Sequence, residues 1–125
     1  MKQSVFLVSF VLLFALLSAV APTFAADPAS GVEALKELGA VNGQALACSE
    51  MPTAKRAKSL MLAHAPKTQT YGDAFQMSTN EAFLAQTKGN AICPTAQALE
   101  DKLKPLETRL NEVLPVPVIA SPQAK

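Results

Sequence analysis

The stretch AQALEDKLKPLETRLNEV, residues 96–113, decides the fold class. Ala96, Leu99, Leu103, Leu106, Leu110 and Val113 follow one another at spacings of 3, 4, 3, 4 and 3. Residues three and four apart share one face of an α-helix, so the stretch predicts a helix packed along a partner surface by a leucine seam. Pro105 sits inside the pattern without shifting its register. One kinked helix is therefore expected rather than two, at a local cost of about 3 kcal/mol for the missing hydrogen bond and the ring clash. Glu100, Asp101, Glu107 and Glu112 fall mainly off the seam and read as a solvated face. Cys93-Pro94 lies just upstream, and proline suits a first helical turn, so the helix is expected to start there.

The sequence before that point is also helical in character. It is rich in Ala, Leu, Lys, Glu and Gln and carries no run of alternating β-branched residues. Asp27-Pro28 is a capped helix start, followed by Val32, Leu35 and Leu38 at a spacing of three. Gly39 offers a stop, and Asn42-Gly43 is expected to open a short second segment carrying Leu46 and Cys48. A further helix is expected from Met51-Pro52 or Thr53 to His64 or Ala65, ended by Pro66. Ala54, Ala57, Leu60 and Met61 supply its apolar positions, with Lys55, Arg56 and Lys58 around the other side. Thr68 to Gln86 reads as another helix that buries Tyr71, Phe75, Ala82 and Phe83, weakened by Gly72 and Thr79. After Leu114, the sequence Pro115-Val116-Pro117-Val118 leaves the helical register, and residues 115–125 are expected to form a flexible Pro-rich tail.

The beginning of the chain has a different character. Val5 to Val20 is almost wholly apolar, follows Met1-Lys2-Gln3, and leads to Thr23 and Ala25, the small residues a signal peptidase requires. Residues 1–25 thus read as a cleaved signal peptide and residues 26–114 as the helical domain. The whole chain has 125 residues, is 50% hydrophobic and carries a net charge of +1. Removing the first 25 takes away Lys2 and four of the six Phe, which leaves a neutral chain whose aromatics are Tyr71, Phe75 and Phe83. A neutral chain poor in aromatics lacks the positive field and stacking surfaces typical of nucleic-acid binding. No second long apolar run follows, so no membrane span is expected after cleavage.

Export sets the reading of the two cysteines. An even number in a small exported chain, here Cys48 and Cys93 and not spaced as CxxC, points to a disulfide. The expected architecture is therefore an all-α domain of four to five helices closed by one Cys48–Cys93 bridge. Bridged cysteines are not available as nucleophiles, and His64 is the chain's only base of the triad type, so no catalytic motif emerges. The sequence carries neither CxxCH nor a paired-His zinc motif, and no cofactor is implied. Met61 and His64 share a helical face as a soft copper-type pair, with Met51 and Met77 as further thioethers, although such residues more often serve as core or surface.

The plan of a small exported helical chain with one long-range disulfide is similar to the acid-stress periplasmic chaperones of the HdeA type, a resemblance of architecture alone. Three functional expectations follow. The first is a periplasmic or secreted, non-catalytic accessory protein that binds a protein or peptide partner or self-associates. Its surface would be the aromatic cluster Tyr71, Phe75 and Phe83 or the seam of Leu99, Leu103, Leu106 and Leu110. The second is an envelope stress chaperone that exposes apolar surface when its carboxylates are protonated. The third is a small-ligand or copper carrier using Met61 and His64. The basic group Lys55, Arg56 and Lys58 is expected to complement the acidic face of the last helix or of a partner.

Overall fold

The computed structural model describes residues 27–117, and the signal-peptide reading of 1–25 and the tail beyond Pro117 lie outside them. The described chain is all-α, with four helices: α1 (Pro28–Ala47), α2 (Met51–His64), α3 (Gln69–Lys88) and α4 (Ala96–Val113). Local chemistry sets the ends. Asp27 caps α1 by accepting a hydrogen bond from the Ala29 amide at 3.1 Å, with Pro28 in the first turn. At the other end the Glu50 amide donates to Ala45 O and the Ser49 amide to Leu46 O, the paired bonds of a Schellman cap. Ser49 occupies the left-handed position of that cap with φ 58°. Thr95 caps α4 by accepting from the Ala98 amide at 3.1 Å. The helix begins two residues beyond Pro94, because the threonine hydroxyl and not the proline satisfies the first free amides.

The expected break at Gly39 and second segment at Asn42 do not occur. Helix α1 runs unbroken through Gly39, Asn42 and Gly43, all of them buried, so the domain has four helices where a fifth was allowed for. The reason is tertiary. A Cβ built on Gly39 would lie 2.4 Å from Phe75 O, and one on Gly43 would lie 2.2 Å from Thr79 O. Both obstacles are α3 backbone, so the two glycines let α3 approach α1 more closely than any side chain would permit. Gly31, Leu35, Gly39 and Gly43 recur every four residues and form a single ridge for that contact.

The partners along this ridge fix the direction of the helices. Gly31 faces Tyr71, Gly39 faces Phe75 and Ser78, and Gly43 faces Thr79 and Ala82, so α1 and α3 run in the same direction. Helices α2 and α4 run the other way. Gly31 also meets Leu114, Arg109 pairs with Glu37, and Lys102 donates to Gln44 at 2.9 Å, with residue numbers falling on α4 as they rise on α1. Thr53 donates to Glu100, and His64 is bonded to Leu114 O, so α2 lies parallel to α4. Helix α1 is central: α2, α3 and α4 all pack on it, α2 and α4 also pack on each other, and α3 rests chiefly on α1.

The leucine seam behaves as its period implies. Leu99, Leu103, Leu106 and Leu110 are buried against Ala34, Leu35, Leu38, Val41 and Ala45 of α1 and Ala54 and Ala57 of α2. Full burial of a leucine side chain stabilises by about 1.5–3 kcal/mol, and Leu35, Leu38, Leu99, Leu103 and Leu110 are all essentially inaccessible. Pro105 lies inside α4 on its exposed side, so the helix continues as one element and the core register is kept. Cys48 and Cys93 form a disulfide with their Cα atoms 5.6 Å apart, linking the end of α1 to the α3–α4 connection.

The packing sets opposite expectations for two glycines. Gly43→Ala is expected to lower stability by about 1–3 kcal/mol, because the clash with α3 backbone outweighs the roughly 1 kcal/mol gain in helix propensity. Gly72→Ala, where an added Cβ meets nothing within 4 Å, is expected to raise stability by up to about 1 kcal/mol. Urea denaturation of the two variants checks both signs. Replacing both cysteines by alanine opens a loop with a sequence separation of 45 and is expected to cost about 4 kcal/mol, read from the same denaturation curves.

Candidate binding groove

Three concavities mark the described surface, and their linings separate them. One, about 560 Å³, lies between α1 and α4 over Ala40, Val41, Pro105 and Leu106. Its charged rim is already matched: Arg109 pairs with Glu37, Lys102 with the Gln44 side-chain oxygen, and Asp101 accepts from Gln97. A second, about 350 Å³, lies at the end of α2 beside Pro66, Leu114 and Pro115 and includes His64. The third, about 310 Å³, runs between α2 and α3 with α1 beneath it, lined by Asn42, Leu46, Met51, Ala54, Lys55, Lys58, Phe75, Gln76 and Thr79.

The groove between α2 and α3 follows directly from the glycine contact. Because α3 is drawn onto the flank of α1, it does not close against α2 to a comparable degree. On α2, Met51, Lys55, Lys58 and Leu62 recur at spacings of 4, 3 and 4 and form one stripe. On α3, Gly72, Gln76, Thr79 and Phe83 recur at the same spacings. The helices are antiparallel, which sets Met51 toward the Phe83 end and Leu62 toward the Gly72 end. From Met51 to Leu62 the stripe rises about 16 Å, roughly three helical turns.

The floor holds one polar feature in otherwise apolar surroundings. Asn42 Nδ2 donates to Thr79 Oγ1 at 3.2 Å, and both residues are buried. This explains why Asn42 and Thr79, which read as helix breakers or weak points in the sequence, stand in mid-helix: each supplies the other's hydrogen-bond partner at the α1–α3 contact. Phe75 and Ala54 complete the floor.

The basic group of α2 divides between two faces. Arg56 turns to α4, where its guanidinium donates to Glu100 and, at 2.6 Å, to Glu107. The Glu107 hydrogen bond, reinforced by the charges of Glu100 and Glu107, raises the Arg56 pKa above its ordinary value and keeps it charged. Lys55 and Lys58 instead line the groove, and neither takes part in an ion pair among the described residues. Five of the large apolar side chains left exposed, Leu46, Met51, Phe83, Leu84 and Ile92, collect at the disulfide end, near the end of α1, the start of α2 and the end of α3. Ile92 is 95% exposed, next to Cys93.

The residues singled out in the sequence are distributed unevenly about this groove. Phe75 is its floor, Phe83 is 39% exposed one turn beyond Thr79 on α3, and Tyr71 is half-buried against Gly31 and the core. Leu99, Leu103, Leu106 and Leu110 are covered by α1 and α2, so the seam forms the core and presents no free binding surface. Met61 packs on the core, and His64 is buried with Nδ1 2.7 Å from Leu114 O, a contact in which the ring N–H donates. Met51 lies about 20 Å along α2 from His64, and Met77 is 62% exposed on α3, so the four residues are not brought together. The disulfide occupies both sulfurs and leaves no free cysteine. Leu46, Lys55 and Lys58 were not foreseen as groove residues, although the spacing of Met51, Lys55, Lys58 and Leu62 already placed them on one face. Comparison of the chain with protein families, curated proteins and solved structures finds no match.

Replacing Thr79 by Val, which keeps the shape and removes the acceptor, leaves the Asn42 amide without its partner. A loss of about 1–3 kcal/mol in stability is expected, measurable by thermal or urea unfolding.

Proposed function

We propose that the protein is an exported, non-catalytic accessory protein that holds a protein partner, in the periplasm or outside the cell, through the disulfide end and the adjoining α2/α3 groove. The observation that carries this reading is that Leu46, Met51, Phe83 and Ile92 are exposed at that end, while five leucines of α1 and α4 are fully buried. A chain that buries Leu35, Leu38, Leu99, Leu103 and Leu110 to near completion has the means to hide apolar surface. Leaving several such side chains together in solvent marks a surface that another molecule covers. The disulfide and the signal-like start of the sequence support export. None of the helices of the described residues is long and apolar enough to cross a membrane.

The reading is tested by photo-crosslinking in the envelope or culture fluid of the native host. A photoreactive side chain at Met51 or Phe83 is expected to give a discrete adduct that the same group at Lys104, on the exposed side of α4, does not. No adduct from either position, together with strictly monomeric sedimentation at high concentration, would overturn it. Intact mass of the exported protein should correspond to a chain beginning at Ala26 and should rise by two hydrogens on reduction.

A further inference from the structure

The α2/α3 groove carries information about the chemistry of its occupant. Its lining includes two lysines and no carboxylate, on a chain whose acidic and basic residues otherwise balance after residue 25. Four of the five ion pairs among the described residues involve α4 or bridge α1 to it, and the remaining one, Lys36–Glu33, lies within α1. Lys55 and Lys58 stand apart from all of them, one turn from each other at the middle of the groove wall. Met51 and Leu62 lie on either side of the pair along the same stripe, 45% and 53% exposed. On α3, Phe83 stands one turn beyond Thr79 and Gly72 one turn before Gln76, where an added Cβ meets nothing within 4 Å, while Leu62 also borders the concavity beside Pro66 and Leu114. The order along the groove is therefore apolar, basic, basic, apolar, over about three helical turns.

Resting on the partner-binding reading above, we propose that this groove receives an acidic amphipathic helix of the partner protein. Two apolar side chains near the ends of about three turns of that helix would rest on the Met51–Phe83 and Leu62–Gly72 surfaces. Glu or Asp side chains one turn apart between them would face Lys55 and Lys58. A helix suits the site because helical repeats of three and four residues reproduce the spacing of both walls, and a helix in an apolar groove satisfies its own backbone hydrogen bonds. An extended chain would leave most of its amides facing the apolar Phe75 and Ala54, with only the Asn42, Gln76 and Thr79 side chains of the lining to receive them.

The test uses the disulfide-intact protein and a fluorescein-labelled helical peptide with Leu at two positions eleven residues apart and Glu four and seven residues after the first Leu. Fluorescence anisotropy is expected to show saturable binding with Kd on the order of 10–100 μM. Substituting Lys for both Glu should abolish it, and the charge reversal Lys55→Glu with Lys58→Glu should weaken binding of the acidic peptide at least about 10-fold. That double variant should bind the Lys-containing peptide instead, which separates loss of the site from loss of the fold. Lys104→Glu should leave binding unchanged. Equal binding of the acidic and basic peptides, or no effect of the Lys55 and Lys58 reversal, would overturn the charge assignment. Preference for dodecanoate micelles over the peptide would overturn the helix. Failure here beside a positive Met51 or Phe83 crosslink would refute the acidic helix and leave the partner-binding reading standing, whereas failure of both would remove the reading itself.

Discussion

The close approach of α3 to α1 is the contact on which the rest of the structure depends. Gly39 and Gly43 bring the backbone of α3 to a distance at which a single added Cβ would collide with the carbonyls of Phe75 and Thr79. Such an approach gains dispersion contact along two helices without the rotamer entropy that long side chains would lose. It also sets the position of α3 to one side of α1, leaving the opposite side of α1 to α2 and α4. The leucine core then forms among α1, α2 and α4, with Phe75 the aromatic that α3 adds to it.

The same contact accounts for the groove. A helix placed symmetrically between α1 and α2 would fill the space that Leu46, Met51, Phe75 and Gln76 now line. Held on the flank of α1, α3 leaves this space open and its far face in solvent, with Met77 and Leu84 seven residues apart on it. The Asn42–Thr79 hydrogen bond fixes the register of α1 against α3, because a slip of one turn would leave a buried amide and a buried hydroxyl without partners. The disulfide acts at the end of the same pair of helices. By joining the residue after α1 to the segment after α3, it holds together the end at which the exposed apolar side chains collect. Architecture and the candidate site thus share one cause.

The two ends of the electrostatic arrangement also divide by structure and not by composition. Lys55, Arg56 and Lys58 are near neighbours in sequence, yet Arg56 points 100° of helix away from Lys55 and reaches the acidic face of α4. Its two carboxylate partners are partly exposed, so the network is worth at most about 1 kcal/mol per pair and serves mainly to orient α2 on α4. Lys55 and Lys58, without such partners, retain a positive field at the groove. Their value is in selecting the sign of what docks, and much less in stability.

The sequence by itself determined the helical class, the clasp of Cys48 to Cys93, the cap at Asp27, the start of α3 after Thr68, the stop before Pro66 and the continuity of α4 through Pro105. These depend on local periodicity, on proline and capping chemistry, or on the rarity of cysteine, all of which are written in neighbouring residues. Only the tertiary structure decided that Gly39, Asn42 and Gly43 continue a helix, since glycine in isolation favours a break and becomes favourable only when another backbone lies against it. It likewise decided which apolar stripe is core and which is surface. The leucine seam and the Met51–Leu62 stripe both show helical spacing, and the seam is buried because α1 and α2 cover it. The groove stripe stays open because two glycines draw α3 aside.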